Sequence, residues 1–219
     1  MSSEMRPPEW GRPPARGNKR DLILYEATDR FDQNGYVRTK WSELADAVGL
    51  GSASLYHYFD SKRHLLHEIQ AGALETERQK LKRLTTGRKD FGPTLPIVLN
   101  GLFDLSSYDI VRNRIVVAGE ALVGVPCDSP RTEDARRQVR GIMSEIELAW
   151  ATFLIRGMEQ KTIPEADARL LTRAVLGIYR SIWRWYRPGG PTTLEGVRGF
   201  FVERLLATVG YDGSLVDQA

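Results

Sequence analysis

Residues 35–66 read GYVRTKWSELADAVGLGSASLYHYFDSKRHLL. Trp41, Leu44, Ala45 and Val48 recur at three- and four-residue spacing, which puts them on one face of a short helix from about Lys40 to Val48. Thr39 is placed to cap its first amides. Gly49 breaks the helix, and Leu50 is the one apolar residue of the turn. A second short helix, about Ser52 to Phe59, carries Leu55 and Phe59 at i, i+4. Asp60-Ser61 interrupts the chain, and Ser61 is placed to cap a long helix from Lys62 to about Leu84. Two short helices joined through a tight turn predict a helix-turn-helix, whose second helix enters a DNA major groove.

That use makes three demands. Apolar inner positions must hold the helix pair at a fixed angle. Small residues must open the second helix so that its backbone can approach base edges, and Gly51, Ser52, Ala53 and Ser54 are small. Donors for phosphate must line the outer face, and Tyr56, His57, Tyr58 and Lys62 are donors. Lys40 and Lys62 both sit at helix starts, where a cation opposes the helix dipole unless another partner claims it. Each also has a plainer account: packing for Tyr56 and Tyr58, a solvated surface for His57 and the lysines.

Outward from this stretch the chain reads as all-α. A first helix from about Lys19 to Asn34 turns Ile23, Leu24, Ala27 and Phe31 inward and stops at Gly35. Residues 1–18 carry four prolines with Arg6, Arg12 and Arg16 and read as a disordered basic arm. Arg12, Arg16, Lys19 and Arg20 are its candidates for reaching the DNA backbone or minor groove. Beyond residue 84, helices are expected over about Thr94–Ser106, Asp109–Val123, Arg131–Gln160, Glu165–Arg187 and Thr193–Val209. The organisation expected is arm 1–18, DNA-binding domain 19–66, helical ligand-binding and dimerisation domain 67–212, and tail 213–219. A net charge of +3 permits nucleic-acid binding without requiring it. No apolar run approaches the roughly 20 residues that span a bilayer, and the N-terminus lacks the apolar core of a secretory signal, so the expected location is cytoplasmic. Cys127 is the one cysteine, and no metal or cofactor is expected.

The stretch 35–66 resembles the TetR family of repressors. Gly35-Tyr36, Thr39, Leu44-Ala45, Gly49, Leu55-Tyr56, Phe59 and Lys62 match that family's pattern, strongly over residues 19–66. Three positions depart from it. Lys40 replaces a second Thr, Gly51 replaces the Ser that caps the reading helix, and Tyr58 replaces a His. The resemblance implies a DNA-facing set of Thr39, Lys40, Ser52, Ala53, Ser54, Tyr56, His57, Tyr58 and Lys62. It further implies a dimer on palindromic operator DNA, released by a small hydrophobic ligand.

The family layout puts the dimer face on the last two helices, here through Ile178, Ile182, Trp185, Val197, Phe200, Phe201, Arg204 and Leu205. The alternative is that these stripes form the core of the single chain. The same layout puts the ligand among residues 94–183, with Phe103, Tyr108, Arg112, Glu120, Met143, Trp150, Phe153, Met158, Tyr179 and Trp183 as candidate lining. Arg112, Arg114 and Arg180 are candidates for an anionic head group. The segment 184–197, RWYRPGGPTTLEGV, is similar to TetR-type regulators of actinobacterial steroid breakdown, which respond to coenzyme A thioesters. That points to an acyl- or steroid-derived coenzyme A thioester, although aromatic packing is the plainer account of the Trp183–Arg187 cluster. A multidrug-efflux-type repressor, an activator and a helical acyl-binding enzyme are the alternatives. No Glu-x-x-His pair, HExxH or Gly-x-Ser-x-Gly supports the enzyme.

Overall fold

The computed structural model describes residues 18–212. Among these residues ten helices and no strand form: α1 (Lys19–Asn34), α2 (Trp41–Ala47), α3 (Ser52–Leu55), α4 (Lys62–Thr85), α5 (Phe91–Gly101), α6 (Ser107–Ala118), α7 (Glu120–Val123), α8 (Pro130–Glu159), α9 (Ala168–Trp185) and α10 (Leu194–Thr208). No helix is long and apolar enough to cross a membrane among the described residues.

The chain divides into two compact units. The first takes residues up to Ala73 together with Ser106–Arg140, and the second takes Leu74–Leu105 together with residues from Gly141 onward. The boundary expected near residue 66 therefore lies inside α4, and α6 and α7 fold with the N-terminal helices.

In the first unit, Ile23, Ala27 and Phe31 of α1 meet Leu44, Ala45, Val48, Leu55, Phe59, Leu65, Leu66 and Ile69, with Val111 and Ile115 of α6 completing the core. Local chemistry sets the helix ends. The Asn18 side chain accepts from the Asp21 N–H at 3.0 Å. Gly35 closes α1 at φ 80°, its N–H donating to the Phe31 carbonyl, and Tyr36 folds back edge-on against Phe31. Ser61 caps α4 by accepting from the His64 N–H at 3.0 Å. Ser106 and Asp109 form a reciprocal capping box at α6.

The second unit buries Phe91, Leu95, Val98, Phe103, Trp150, Phe153, Leu154, Val175, Tyr179, Trp183, Val197 and Leu205. Its helix α10 lies against both α5 and α9. Gly157 lets α8 approach α5: a Cβ there would meet the Phe91 ring at 2.6 Å.

Several predicted helices differ from those observed, α9 for one starting at Ala168 and not at Glu165. The expected helix over 109–123 is cut at Gly119, where a Cβ would lie 2.8 Å from the Gln70 amide nitrogen. The helix expected from Thr94 starts at Phe91, because the Gln160 side chain accepts the Phe91 N–H at 2.7 Å and Pro93 falls in the first turn, where its missing donor costs nothing. The reading helix stops at Leu55, not Phe59. The His57 and Tyr58 amides donate to carbonyls three residues back, tightening the chain into turns.

Candidate nucleic-acid interface

Helices α2 and α3 pack through buried Leu44, Ala45, Val48 and Leu55, with Trp41 and Leu50 at the margin. The floor beneath them is fixed at several points. Lys19 donates to the Val48 carbonyl at 2.6 Å, satisfying the end of α2. Arg20 pairs with Glu68 at 2.7 Å and lies over the Phe59 ring. Glu68 also faces His64, and these two partners hold its carboxyl down at about 2.

The start of α3 faces outward. Ser52 and Ala53 are exposed and Ser54 is half-buried. Gly51 has open space where a side chain would stand. Tyr56 is 53% exposed, its ring tilted on Trp41 with centroids 5.0 Å apart. Buried Leu55 and Phe59 anchor the segment from the other side. Lys40 and His57 are exposed and Tyr58 is half-buried. Small residues and donors therefore share one open tip on a packed base.

Two residues expected at the DNA face are engaged within the fold, Thr39 by burial and Lys62 through two of its donors. Thr39 is 1% exposed, and its hydroxyl donates to the Arg30 and Gly35 carbonyls at 3.2 and 3.0 Å. It ties the loop to the end of α1 and does not cap α2. The Lys62 ammonium donates to the Thr39 and Val37 carbonyls at 2.8 and 3.2 Å and rests 4.6 Å from the Tyr36 ring centroid. Burial lowers its pKa. Lys62 staples the loop before α2, so two of its three donors serve the fold. Sequence reading missed the neighbours these residues hold out: Arg38 is exposed and Val37 is 86% exposed. The motif gave no signal for them, since their exposure follows from where Thr39 turns. Arg12 and Arg16 lie outside the described residues, and Lys19 and Arg20 of the same set are engaged within the unit.

The segment after α3 is bound to the start of α8. Arg131 pairs with Asp60 at 2.6 Å and donates to the Tyr58 carbonyl at 3.2 Å, while Ser129 donates to Asp60 at 2.6 Å. Next to Lys62, the Arg63 guanidinium gathers the carbonyls of Leu122, Val125 and Pro126 at the end of α7. The first turn of α4 thus holds the loop before the reader with one residue and the end of α7 with the next.

The expected ligand-lining residues divide between the units. Tyr108, Arg112 and Glu120 belong to the first. Glu120 is exposed at the start of α7, Tyr108 stacks on Tyr25, and Arg112 lies over Tyr108. Arg114 is committed to Asp32 at 2.6 Å. In the second unit, Tyr179 meets Phe103 and Trp183 edge-to-face and Phe103 is tilted on Trp183, with centroids 5.5–6.4 Å apart. Trp150 packs on Phe153, Met158 is buried and Met143 is half-buried. Tyr179 donates to the Leu102 carbonyl at 3.1 Å, but the indole N–H groups of Trp150 and Trp183 have no partner.

Among the residues expected at a dimer face, Ile182, Val197 and Leu205 are buried inside the single chain, at 0, 2 and 0% exposure. They are core because the inner faces of α9 and α10 close on each other. Outside remain Trp185, Phe200 and Arg204, with Ile178 and Phe201 half-buried. Phe201 joins Trp185 and Phe200 ring to ring, and the Arg204 guanidinium covers the Phe200 ring at 3.9 Å.

Comparison with known proteins agrees with this geometry. The family profile described as bacterial regulatory proteins, tetR family, matches residues 23–69, and that of the tetracyclin repressor-like C-terminal domain matches 119–209. The transcriptional repressor KstR2 of Mycobacterium tuberculosis is 27% identical over 204 residues, covering 90% of this chain and 95% of its own length. Its structure, that of a ketosteroid transcriptional regulator, superposes with a TM-score of 0.73 over 92% of this chain and all of that one, at 22% identity. The TetR family regulator PfmR of Thermus thermophilus is 29% identical, with a TM-score of 0.70 over 84% of this chain and 97% of that one. AibR, crystallised with isovaleryl coenzyme A and operator DNA, shares the fold with a TM-score of 0.70 at 19% identity, covering 86% of this chain and 98% of that one.

Proposed function

The chain belongs to the TetR family of transcriptional regulators, and from that premise we propose that it is a cytoplasmic, dimeric repressor of palindromic operator DNA that a hydrophobic acyl or steroid coenzyme A thioester releases. The observation that carries the DNA half is the open tip of α3: exposed Ser52 and Ala53 on a base locked by Leu55 and Phe59. A slim helix start of this kind fits a major groove and reads base edges through Ser52, Ala53 and Ser54. Tyr56, His57, Tyr58, Lys40 and exposed Arg38 supply phosphate contacts around it. Thr39 and Lys62 shape the loop that presents Arg38 and Lys40.

Two chains meet through Trp185, Phe200, Phe201, Arg204 and Ile178, giving two tips for two half-sites. The ligand assignment draws on KstR2, named for ketosteroids, and on AibR, which holds isovaleryl coenzyme A. Aromatic Phe103, Trp150, Phe153, Tyr179 and Trp183 suit an apolar acyl or ring body. A ligand that prefers a different helix arrangement shifts the population away from the operator-binding form.

The test is fluorescence anisotropy on the palindrome upstream of the protein's own gene, across a salt series. Arg38→Ala and Lys40→Ala are each expected to weaken binding to every sequence and to lower the salt slope by about one. Ser52→Glu is expected to abolish operator preference. Equal affinity for operator and scrambled DNA in the unsubstituted protein overturns the repressor reading.

A further inference from the structure

Helix α8 has two apolar faces within the second unit, and the chain closes only one of them. Ile142, Ile146, Trp150, Phe153 and Leu154 are buried in the core. On the opposite side Leu148, Ala151, Thr152 and Ile155 recur at the three- and four-residue spacing of a single helical face. Leu148 is 67% exposed and Ile155 43%. No charged residue falls on this face between them. Its one polar side-chain group, the Thr152 hydroxyl, is turned back to donate to the Leu148 carbonyl at 2.9 Å. An isolated exposed leucine needs no explanation, but a continuous uncharged face over two turns marks a contact surface.

The charges along the two edges of this face differ. On one edge Glu145 pairs with Arg78 at 3.4 Å, and the Arg156 guanidinium lies over the Phe153 ring and donates to the Arg88 carbonyl at 2.9 Å. These charges are answered inside the chain. The other edge opens into a groove of about 250 Å³ between α8 and α9, where Glu147, Leu148 and Ala151 face Arg169 and Arg173. The Glu147 carboxylate and both guanidiniums form no ion pair with any described residue. Asp167 is within electrostatic reach of the two arginines, but its carboxylate caps α9 by accepting from the Arg169 and Leu170 N–H groups.

Open apolar surface, an unanswered carboxylate and two unanswered guanidiniums therefore stand side by side. An uncharged or purely anionic ligand leaves at least one sign of charge unmet. A partner that answers all of them carries apolar surface beside both a cation and an anion. A second copy of the same patch has that composition. A twofold axis sets the carboxylate of each chain against the guanidiniums of the other while the apolar faces meet.

We propose that the outer face of α8 from Ser144 to Ile155, with Arg169 and Arg173 of α9, is a self-association surface that receives the same patch of a second copy of this chain. It is separate from the Trp185–Phe200 surface proposed for the dimer, so chains using both contacts join dimers in pairs. Leu148 and Ile155 supply the attraction, and Glu147 with Arg173 fixes the register. The patch is small, so the contact is weak and pairs of dimers form only at high protein concentration.

The experiment is sedimentation equilibrium of the full-length protein from micromolar to near-millimolar concentration. The natural sequence is expected to pass from two chains to four. Leu148→Asp replaces an exposed side chain and opens no cavity. It is expected to raise the dissociation constant of that second step by about tenfold or more with the melting temperature unchanged. Charge exchange then decides the occupant. Glu147→Arg sets like charges together in both halves of the contact, as does the double variant Arg169→Glu with Arg173→Glu, and neither is expected to reach four chains alone. An equimolar mixture of the two proteins restores both attractions and is expected to recover the four-chain species.

Four chains that persist in Leu148→Asp and in each charge variant, or a mixture that recovers nothing, overturn the proposal. A natural sequence that stays at two chains throughout also overturns it, and leaves the groove to a ligand or to a different protein. Sedimentation involves no DNA, so its outcome stands apart from the operator reading. In Phe200→Asp the α8 face alone is expected to join two chains at high concentration, which separates failure of this contact from failure of the one on α10.

Discussion

His67 shows how a single side chain makes the DNA-reading unit sensitive to pH. It is fully buried, with Nδ1 2.9 Å from the Gln70 Oε1, so the proton sits on Nδ1 and is donated to the amide oxygen. The other ring nitrogen faces the Cys127 thiol at 4.0 Å. Burial chiefly, then the Arg63 and Arg136 guanidiniums and His64, push the imidazole pKa below its ordinary value. The unfolded chain therefore takes up a proton near pH 6.5 that the folded chain still refuses. Stability from this residue is complete above that pH and declines as the pH falls through it. Urea midpoints at pH 7.5 and 5.5 are expected to differ in the natural sequence and to draw together in His67→Gln; equal midpoints in the natural sequence contradict this. The same network fixes Gly119. Gln70 also donates to the Val116 carbonyl, and a methyl on Gly119 would press on its amide at 2.8 Å, on the Ile115 carbonyl at 3.2 Å and on Leu66 at 3.3 Å. Gly119→Ala is expected to cost about 1–3 kcal/mol by urea denaturation. Gly124→Ala, which meets only the Ala121 carbonyl at an ordinary 3.5 Å, is the control expected to cost little.

Helix α5 carries an interior proline, and its repair lies far away in sequence. Pro96 has no N–H for the Gly92 carbonyl, and the Tyr211 hydroxyl donates to that oxygen instead, at 3.0 Å. Tyr211→Phe leaves a buried carbonyl unmet and is expected to cost about 1–3 kcal/mol in thermal denaturation. Adding Pro96→Ala to that variant restores a local donor, so the double variant is expected to recover part of the loss. Additive losses would show that the phenol does not substitute for the missing bond. This pairing also marks the limit of sequence reading. Spacing of apolar residues made the helices legible, and the tight Gly49-Leu50 turn made the helix-turn-helix legible, because both are local. The true start of α5 was not legible, since it depends on Gln160 accepting from Phe91. The internal hydrogen bonds of Thr39 and Lys62 were not legible for a related reason. Both match the motif, but the carbonyls that claim them, on Arg30, Gly35 and Val37, reach them only once α1 and α4 have packed. The outward placing of Tyr56 was legible, because the local spacing that buries Leu55 and Phe59 leaves it outside.

At the scale of the molecule, reading two half-sites requires two chains, and the surface available for pairing is narrower than the apolar stripes of α9 and α10 suggest. Part of each stripe closes the core of its own chain, leaving Leu170 and Trp185 of α9 and Phe200 of α10 as their large exposed apolar side chains. Phe200 is 54% exposed, and Arg204 lies across its face. Such an arrangement suits an interface anchor: a rigid aromatic surface with a cation held against it and no role in the single-chain core. Phe200→Asp places a charge at the centre of that surface without creating a cavity. The variant is expected to sediment as a 24.8 kDa monomer where the natural sequence sediments at twice that mass. Its melting is expected to lose its dependence on protein concentration while its helix content stays the same. Operator affinity at equal chain concentration is expected to fall by about a hundredfold or more, because each reading tip then binds without its neighbour. Half-site DNA is expected to bind both proteins alike. A dimer that survives Phe200→Asp moves the interface away from α10, and a monomeric variant with full operator affinity shows that one α3 tip is enough.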